Sequence, residues 1–247
     1  MFHHEGPARS TRKNAVLAGY LAFVAGFVNT AGFVMLGLFT SHVTGAVGRL
    51  GVEVALHDPG APSTLALIGA FFGGAVAASL LLEAHLGGRK AISYGLALLL
   101  EATLLAIVAL RSERIAMAAM LLSAAMGMQN SLVTRLSGAV VRTTHLTGVL
   151  TDLGIEAARW MLWVAGGPTR PAERPKPSRG GLLLIIALAF AAGAILGATL
   201  ASRYGRWVLA APACAVAAAS LFAFLVSGRH RDPTPASTST SSSARAH

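Results

Sequence analysis

Six stretches of this chain are long and apolar enough to cross a bilayer as a helix: 15–36, 63–82, 91–110, 115–133, 181–201 and 207–227. A hydrocarbon core about 30 Å thick needs about 20 such residues. Five of the six carry no Asp, Glu, Lys or Arg, and the third carries one, Glu101. Backbone polar groups find no water inside lipid, so a chain with this pattern must satisfy them within helices. The expected fold is an all-α membrane protein with six transmembrane helices. The first stretch follows Arg9, Arg12 and Lys13, as the core of a cleaved leader would. Its uncharged run continues to Ser41, well beyond the apolar core of about 7–15 residues that a leader has, so we read it as a retained span.

The net charge of +10 does not point to nucleic acid. Lys and Arg collect on the cytoplasmic side of membrane proteins. With the N-terminus inside, only Arg49, Arg111, Arg114, Arg203 and Arg206 of the 20 Lys and Arg fall outside. This places both termini in the bacterial cytoplasm. The lone cysteine, Cys214, excludes an internal disulfide. Residues 166–181 read as a Pro- and Arg-rich cytoplasmic linker, and 228–247 as a disordered, low-complexity tail.

The chain repeats itself. "HVTGAVGRLGVEVA" begins at His42, and "HLTGVLTDLGIEAA" begins 103 residues later at His145. Upstream, "AGFVNTAGFVMLG" resembles "MGMQNSLVTRLSG", matching Gly26 with Gly127, Asn29 with Asn130 and Thr30 with Ser131. Downstream, the stretch from Gly73 resembles that from Gly193. The halves are 15–111 and 112–227, after a cytoplasmic segment 1–14. Three spans per half is odd, so the second half is inverted relative to the first, an arrangement that many transporters use.

The motifs "AGFVNTAGF", "SHVTGAVGRLG", "AAMGMQNSLV" and "VRTTHLTGVLTDLG" make the chain resemble the YoaK family of bacterial multi-pass membrane proteins (domain of unknown function 1275). The resemblance covers nearly all of 15–227 and implies a six-helix fold in the cytoplasmic membrane. Relatives often carry an acid at the position of Asn29 and an Asn at that of Ala46.

Each doubled segment is expected to form a short helix. From Thr44 to Leu56 it is about 20 Å long, too short to span, so it is re-entrant or interfacial. Thr44 and Thr147 are expected N-caps, followed by Gly45 and Gly148, and such termini suit an anion or a polar solute. Gly45, Gly48 and Gly51, answered by Gly148, Thr151 and Gly154, form small-residue lines suited to helix packing. His42, Arg49 and Glu53 share a second face, as do His145, Asp152 and Glu156. Two charge arrangements are open: Arg49 with Glu53 and Glu156 with Arg159, or Arg49 with Asp152 across a pseudo-two-fold axis. His42 and His145 titrate near neutrality and suit proton relay or hydrogen bonding beside the caps; two histidines without a third ligand do not make a metal site.

Asn29, Thr30, Gln129, Asn130 and Ser131 lie at membrane depth, where amides and hydroxyls either join helices or hold a polar substrate. Glu101 is expected to be neutral or turned to a polar cavity, with proton coupling or a bond to a neighbouring helix as its roles. No hydrolase, metalloprotease or phosphate-loop motif is present. The expected function is non-enzymatic and cofactor-free: a secondary transporter or channel for a small polar or anionic solute. The alternative is a scaffold whose repeats serve packing. The expected partners are the lipid bilayer and that solute, with a homo-oligomer compatible and nucleic acid excluded.

Overall fold

A computed structural model describes residues 11–84, 90–111, 114–136, 146–166 and 177–229. Every regular element among them is helical: α1 (Thr11–Leu36), α2 (Val43–Ala55), α3 (Ala61–Glu83), α4 (Lys90–Arg111), α5 (Ile115–Leu136), α6 (Leu146–Gly166), α7 (Pro177–Tyr204), a 3-10 turn (Gly205–Leu209) and α8 (Ala210–Arg229). Five segments are long and apolar enough to cross a membrane: Ala15–Leu36, Ala61–Glu83, Lys90–Arg111, Ile115–Arg135 and Gly180–Leu225. The last has 46 residues, about 69 Å of helix if it were straight, or roughly twice a bilayer core. It is broken at the 3-10 turn, where Gly205 takes φ +56°.

Two sequence boundaries move. Helix α7 starts at Pro177, inside the stretch read as a linker, because proline is well suited to a first helical turn. The doubled segments also differ. Helix α2 has 13 residues, the expected short length. Helix α6 has 21 and continues through Trp160 and Trp163, which meet edge to face. At about 31 Å it is not the short re-entrant or interfacial helix expected for the second copy.

Three helix pairs carry most of the packing: α1 with α7, α3 with α5, and α4 with α8. The first two are built alike. A Cβ on Gly26 would overlap the Phe190 carbonyl, and one on Gly193 the Phe23 carbonyl. A Cβ on Gly127 would overlap the Phe71 carbonyl, and one on Gly74 the Ala124 carbonyl. Backbones approach this closely only where side chains are absent, which is how helices associate in lipid without a hydrophobic drive. Residue order along these contacts shows α1 parallel to α7 and α3 parallel to α5. The Gln129 Nε2 bond to the Leu21 carbonyl (3.1 Å) and the approach of Leu122 to Gly32 set α1 antiparallel to α5. The crossings match Gly74 with Gly193, one residue away from the Gly73 match read in the sequence.

Hydroxyls reinforce the same seams. Thr30 Oγ1 donates to the Ala194 carbonyl (2.7 Å), Ser131 and Ser79 bond each other (2.8 Å), and Ser220 donates to the Gly95 carbonyl (2.7 Å). Around them Val28, Tyr94, Leu105, Leu122, Met126, Ile186 and Leu209 form the buried core. Phe72, Leu188 and Ile195 point outward, as residues facing acyl chains do.

Candidate functional site

The chain leaves α1 at Gly37, whose φ of +72° lets its N–H bond back to the Phe33 carbonyl (2.8 Å). The connection to α2 is then pinned by Asn29, whose Oδ1 accepts from both the backbone N–H of Ser41 (3.0 Å) and its hydroxyl (2.9 Å). Gly32 leaves room for the methyl of the buried Thr40. Helix α2 begins at Val43 with His42 at the N-cap position and no side-chain cap bond. Thr44 is therefore inside the first turn and is not the expected cap. The His42 ring lies over Gly45, where a Cβ would come within 2.6 Å of Nδ1, and stands edge-on to Phe39. The far end closes with the Asp58 N–H on the Glu53 carbonyl (2.8 Å) and that of His57 on Val54 (3.2 Å).

Under this helix lies a cavity of about 230 Å³. Its walls come from the end of α1, the 37–42 connection, α2, α3 and one turn of α5. At about 30 Å³ per water, it has room for a small organic acid or several waters. Its polar lining is Thr40, His42, Arg49, Thr64 and Ser123, set among Phe33, Phe39, Leu67, Ile68 and Phe71. Thr40 Oγ1 is buried and has no hydrogen-bond partner among the described residues. Arg49 uses Nε to hold Glu53 Oε1 (2.6 Å), with side-chain exposures of 58% and 6%. Among the described residues its two terminal nitrogens have no partner, so half of the guanidinium fork is available at the cavity wall.

Glu53 is the anchor of α2. The Thr64 hydroxyl on α3 and the Arg49 guanidinium hold its carboxyl below the ordinary range, against desolvation and the nearby Asp58, which raise it. A carboxyl lowered by folding stabilises above its unfolded pKa and loses that contribution as pH falls through the folded value. Acidification below about 4.5, the ordinary value, is therefore expected to loosen α2 from α3. The readout is thiol labelling of Ser41→Cys in a Cys214→Ser background. Labelling should quicken on the acid side, and Glu53→Gln should remove that pH step.

The other sequence candidates separate from this cavity. The Asn29 carbonyl oxygen is committed to Ser41, and Thr30 and Ser131 bond neighbouring helices. Asn130 is half-buried on α5 and does not line the cavity. Gln129 bonds α1, and Glu101 is fully buried in α4 with neither carboxyl oxygen partnered among the described residues. Thr147 and Gly148 are exposed at the start of α6, and His145 lies outside the described residues. Asp152 does not meet Arg49 as proposed across the axis. Arg49 pairs with Glu53, Arg159 pairs with the buried Glu156 (2.9 Å), and α2 packs on α3 while α6 packs on α7. Nor do the glycine lines pack: Gly48, Gly51, Gly148 and Gly154 have open space where a Cβ would sit.

Sequence reasoning passed over Thr40, Ser41, Thr64 and Ser123. A signal for the first two exists, since Thr40-Ser41 before His42 is echoed by Thr143-Thr144 before His145. Thr64 and Ser123 are isolated hydroxyls in apolar stretches, and only the packing of α3 and α5 brings them here.

Residues 17–222 match the model of a family described as "Protein of unknown function (DUF1275)". The chain belongs to this family. The match runs from within α1 to within α8, so it takes in the cavity and all three main helix pairs. A UPF0700 transmembrane protein of Rhizobium meliloti (strain 1021) is 27% identical over 221 residues, covering 90% of this chain and 91% of that protein. No solved structure matches the chain. With its apolar helices, this membership makes the chain a multi-pass transmembrane protein, in line with the resemblance carried by its motifs.

Proposed function

We propose that the chain is a secondary transporter or channel for a small polar or anionic solute in the bacterial cytoplasmic membrane, without catalysis of its own. It has six spans in two inverted three-helix halves and both termini inside. The observation that carries the solute reading is the cavity beneath α2, whose wall carries the free edge of the Arg49 fork. A guanidinium fork suits carboxylate or phosphate geometry. Support for the inverted halves comes from the matched glycine crossings, whose helix pairs run in opposite directions. Support for a sixth span comes from the break at Gly205 in a segment of double length.

The scaffold reading draws on one observation, the exposed and uncontacted Gly48 and Gly51 of α2, which leave a smooth face for another helix.

The test is uptake of labelled carboxylates and inorganic anions into proteoliposomes. Arg49→Gln is expected to lower flux about tenfold or more, as loss of a charged hydrogen bond does, and to lower the melting midpoint as well, because it leaves the buried Glu53 without its partner. Wild-type flux in this variant would remove the cavity from the solute path. A chain that moves no solute at all would leave the scaffold reading.

A further inference from the structure

A cavity of about 460 Å³ lies at the end of the bundle where α1, α4 and α7 finish and α5 begins, beside the 3-10 turn. It shares no lining residue with the cavity beneath α2. Val34, Val108 and Ala118 stand among its apolar walls, and Ser202 and Arg206 are its polar side chains. Val34, Ile115 and Ser202 on its rim are exposed, so it opens to the surroundings of the bundle. The volume is in the range of small-molecule sites, about 300–1,000 Å³.

Positive charge gathers at this mouth. The stretches 111–114 and 203–206 hold four arginines and one acid, Glu113. Arg111 stands about one turn beyond the wall residue Val108, and Arg203 follows Ser202. Both are exposed and have no partner among the described residues. Two aromatic side chains mark the depth. Tyr204 and Trp207 are well exposed, and such rings sit at the headgroup level of a bilayer. The Arg206 guanidinium lies over the Trp207 ring, 5.7 Å from its centroid, so its charge is at the same level.

We propose that this cavity binds the phosphate of an anionic phospholipid. Arg206 pairs the phosphate, and an acyl chain runs down the apolar walls. A guanidinium can meet two phosphate oxygens at once, and basic pockets between membrane helices hold anionic headgroups. Arg111 and Arg203, just outside, add to the field that draws the headgroup in. A zwitterionic lipid brings its own cation to the same cluster and is disfavoured. The site is separate from the solute cavity and stands or falls on its own.

The experiment uses the full chain with Trp160→Phe and Trp163→Phe, which leaves Trp207 as the single tryptophan. The protein is placed in phosphatidylcholine nanodiscs that carry an equal fraction of either phosphatidylglycerol or phosphatidylcholine with brominated acyl chains. Quenching of Trp207 is expected to show a preference of about fivefold for the phosphatidylglycerol, the worth of one arginine near a lipid headgroup. Arg206→Gln is expected to bring the two lipids to parity. Because that change also removes the contact with the Trp207 ring, Ser202→Phe provides a second variant. It fills the cavity with Arg206 in place, and is expected to remove the preference while quenching by the brominated phosphatidylcholine persists. Equal quenching in the parent, or a preference that survives either variant, overturns the proposal. So does loss of the preference on adding soluble glycerol phosphate but not chloride at the same ionic strength, since the site would then take a free anion. Absence of quenching by both lipids overturns it too, because the turn would then be covered by a second copy.

Discussion

Gly26→Ala and Gly127→Ala are expected each to cost about 3 kcal/mol or more, enough to remove most of the folded protein from the membrane. At each position the added methyl would overlap a carbonyl oxygen of the facing helix, that of Phe190 or of Phe71. A flexible side chain could swing aside, but a helix backbone cannot. The helices must separate, and they lose the neighbouring hydrogen bonds as they do, Thr30 to Ala194 in one pair and Ser131 to Ser79 in the other. The measurement is the folded fraction against denaturing detergent. Gly48→Ala and Gly51→Ala provide the control, since nothing lies near either Cβ position. There alanine is expected to stabilise α2 by up to about 1 kcal/mol, through helix propensity alone. Similar losses at all four positions would mean that the crossings are not where the structure puts them.

This contrast also shows which glycines the sequence made readable. In the doubled phrase, Gly45, Gly48 and Gly51 stand out by their spacing and suggest a packing face. The seam instead uses Gly26, Gly74, Gly127 and Gly193, which sit in apolar runs where small residues are common. Periodicity marks which residues share a face, but not which face meets a neighbour. Five apolar segments long enough to span were legible because length and the absence of charge suffice to define them, and α4 runs within one residue of its expected limits at each end. The charge arrangement was legible only as two alternatives. Arg49 and Glu53 are four apart on one helix, so their pairing is local, whereas a pair with Asp152 depends on how α2 and α6 are placed. The cavity itself was half legible: His42, Gly45 and Arg49 came from the repeat, while Thr40, Thr64 and Ser123 came from three different stretches joined by packing.

Both copies of the repeat bury a glutamate against a neighbouring helix and tie it to an arginine on the same helix, Glu53 with Arg49 and Glu156 with Arg159. The arginine lies on opposite sides of the acid in the two copies. In α2 it precedes the acid and reaches the cavity; in α6 it follows the acid, and Asp152 stands at the position of Arg49. The halves thus share an anchor and differ in the group beside it.

Glu101→Leu is expected to raise stability by about 2 kcal/mol. Glu101 is fully buried in α4 between Ala97 and Leu105, and neither of its oxygens has a hydrogen-bond partner among the described residues. Burying a polar group without a partner costs roughly 1–3 kcal/mol on mutational scales, and leucine fills a similar volume without that cost. Glu101→Gln is the matched control: its amide keeps the shape and the unmet polar atoms, so no gain is expected. Unfolding by denaturing detergent distinguishes the two, and a Leu variant no more stable than the Gln variant would show that the carboxyl is satisfied in the membrane. An acid that weakens its own helix bundle at membrane depth is a candidate for a functional role. Tyr20, which lies within electrostatic range on α1, is the ionisable neighbour through which it would act. If flux is proton-coupled at this acid, Glu101→Leu will fold better than the parent and still move solute, with the dependence on a proton gradient gone. Unchanged gradient dependence in a well-folded Glu101→Leu variant would place the coupling elsewhere.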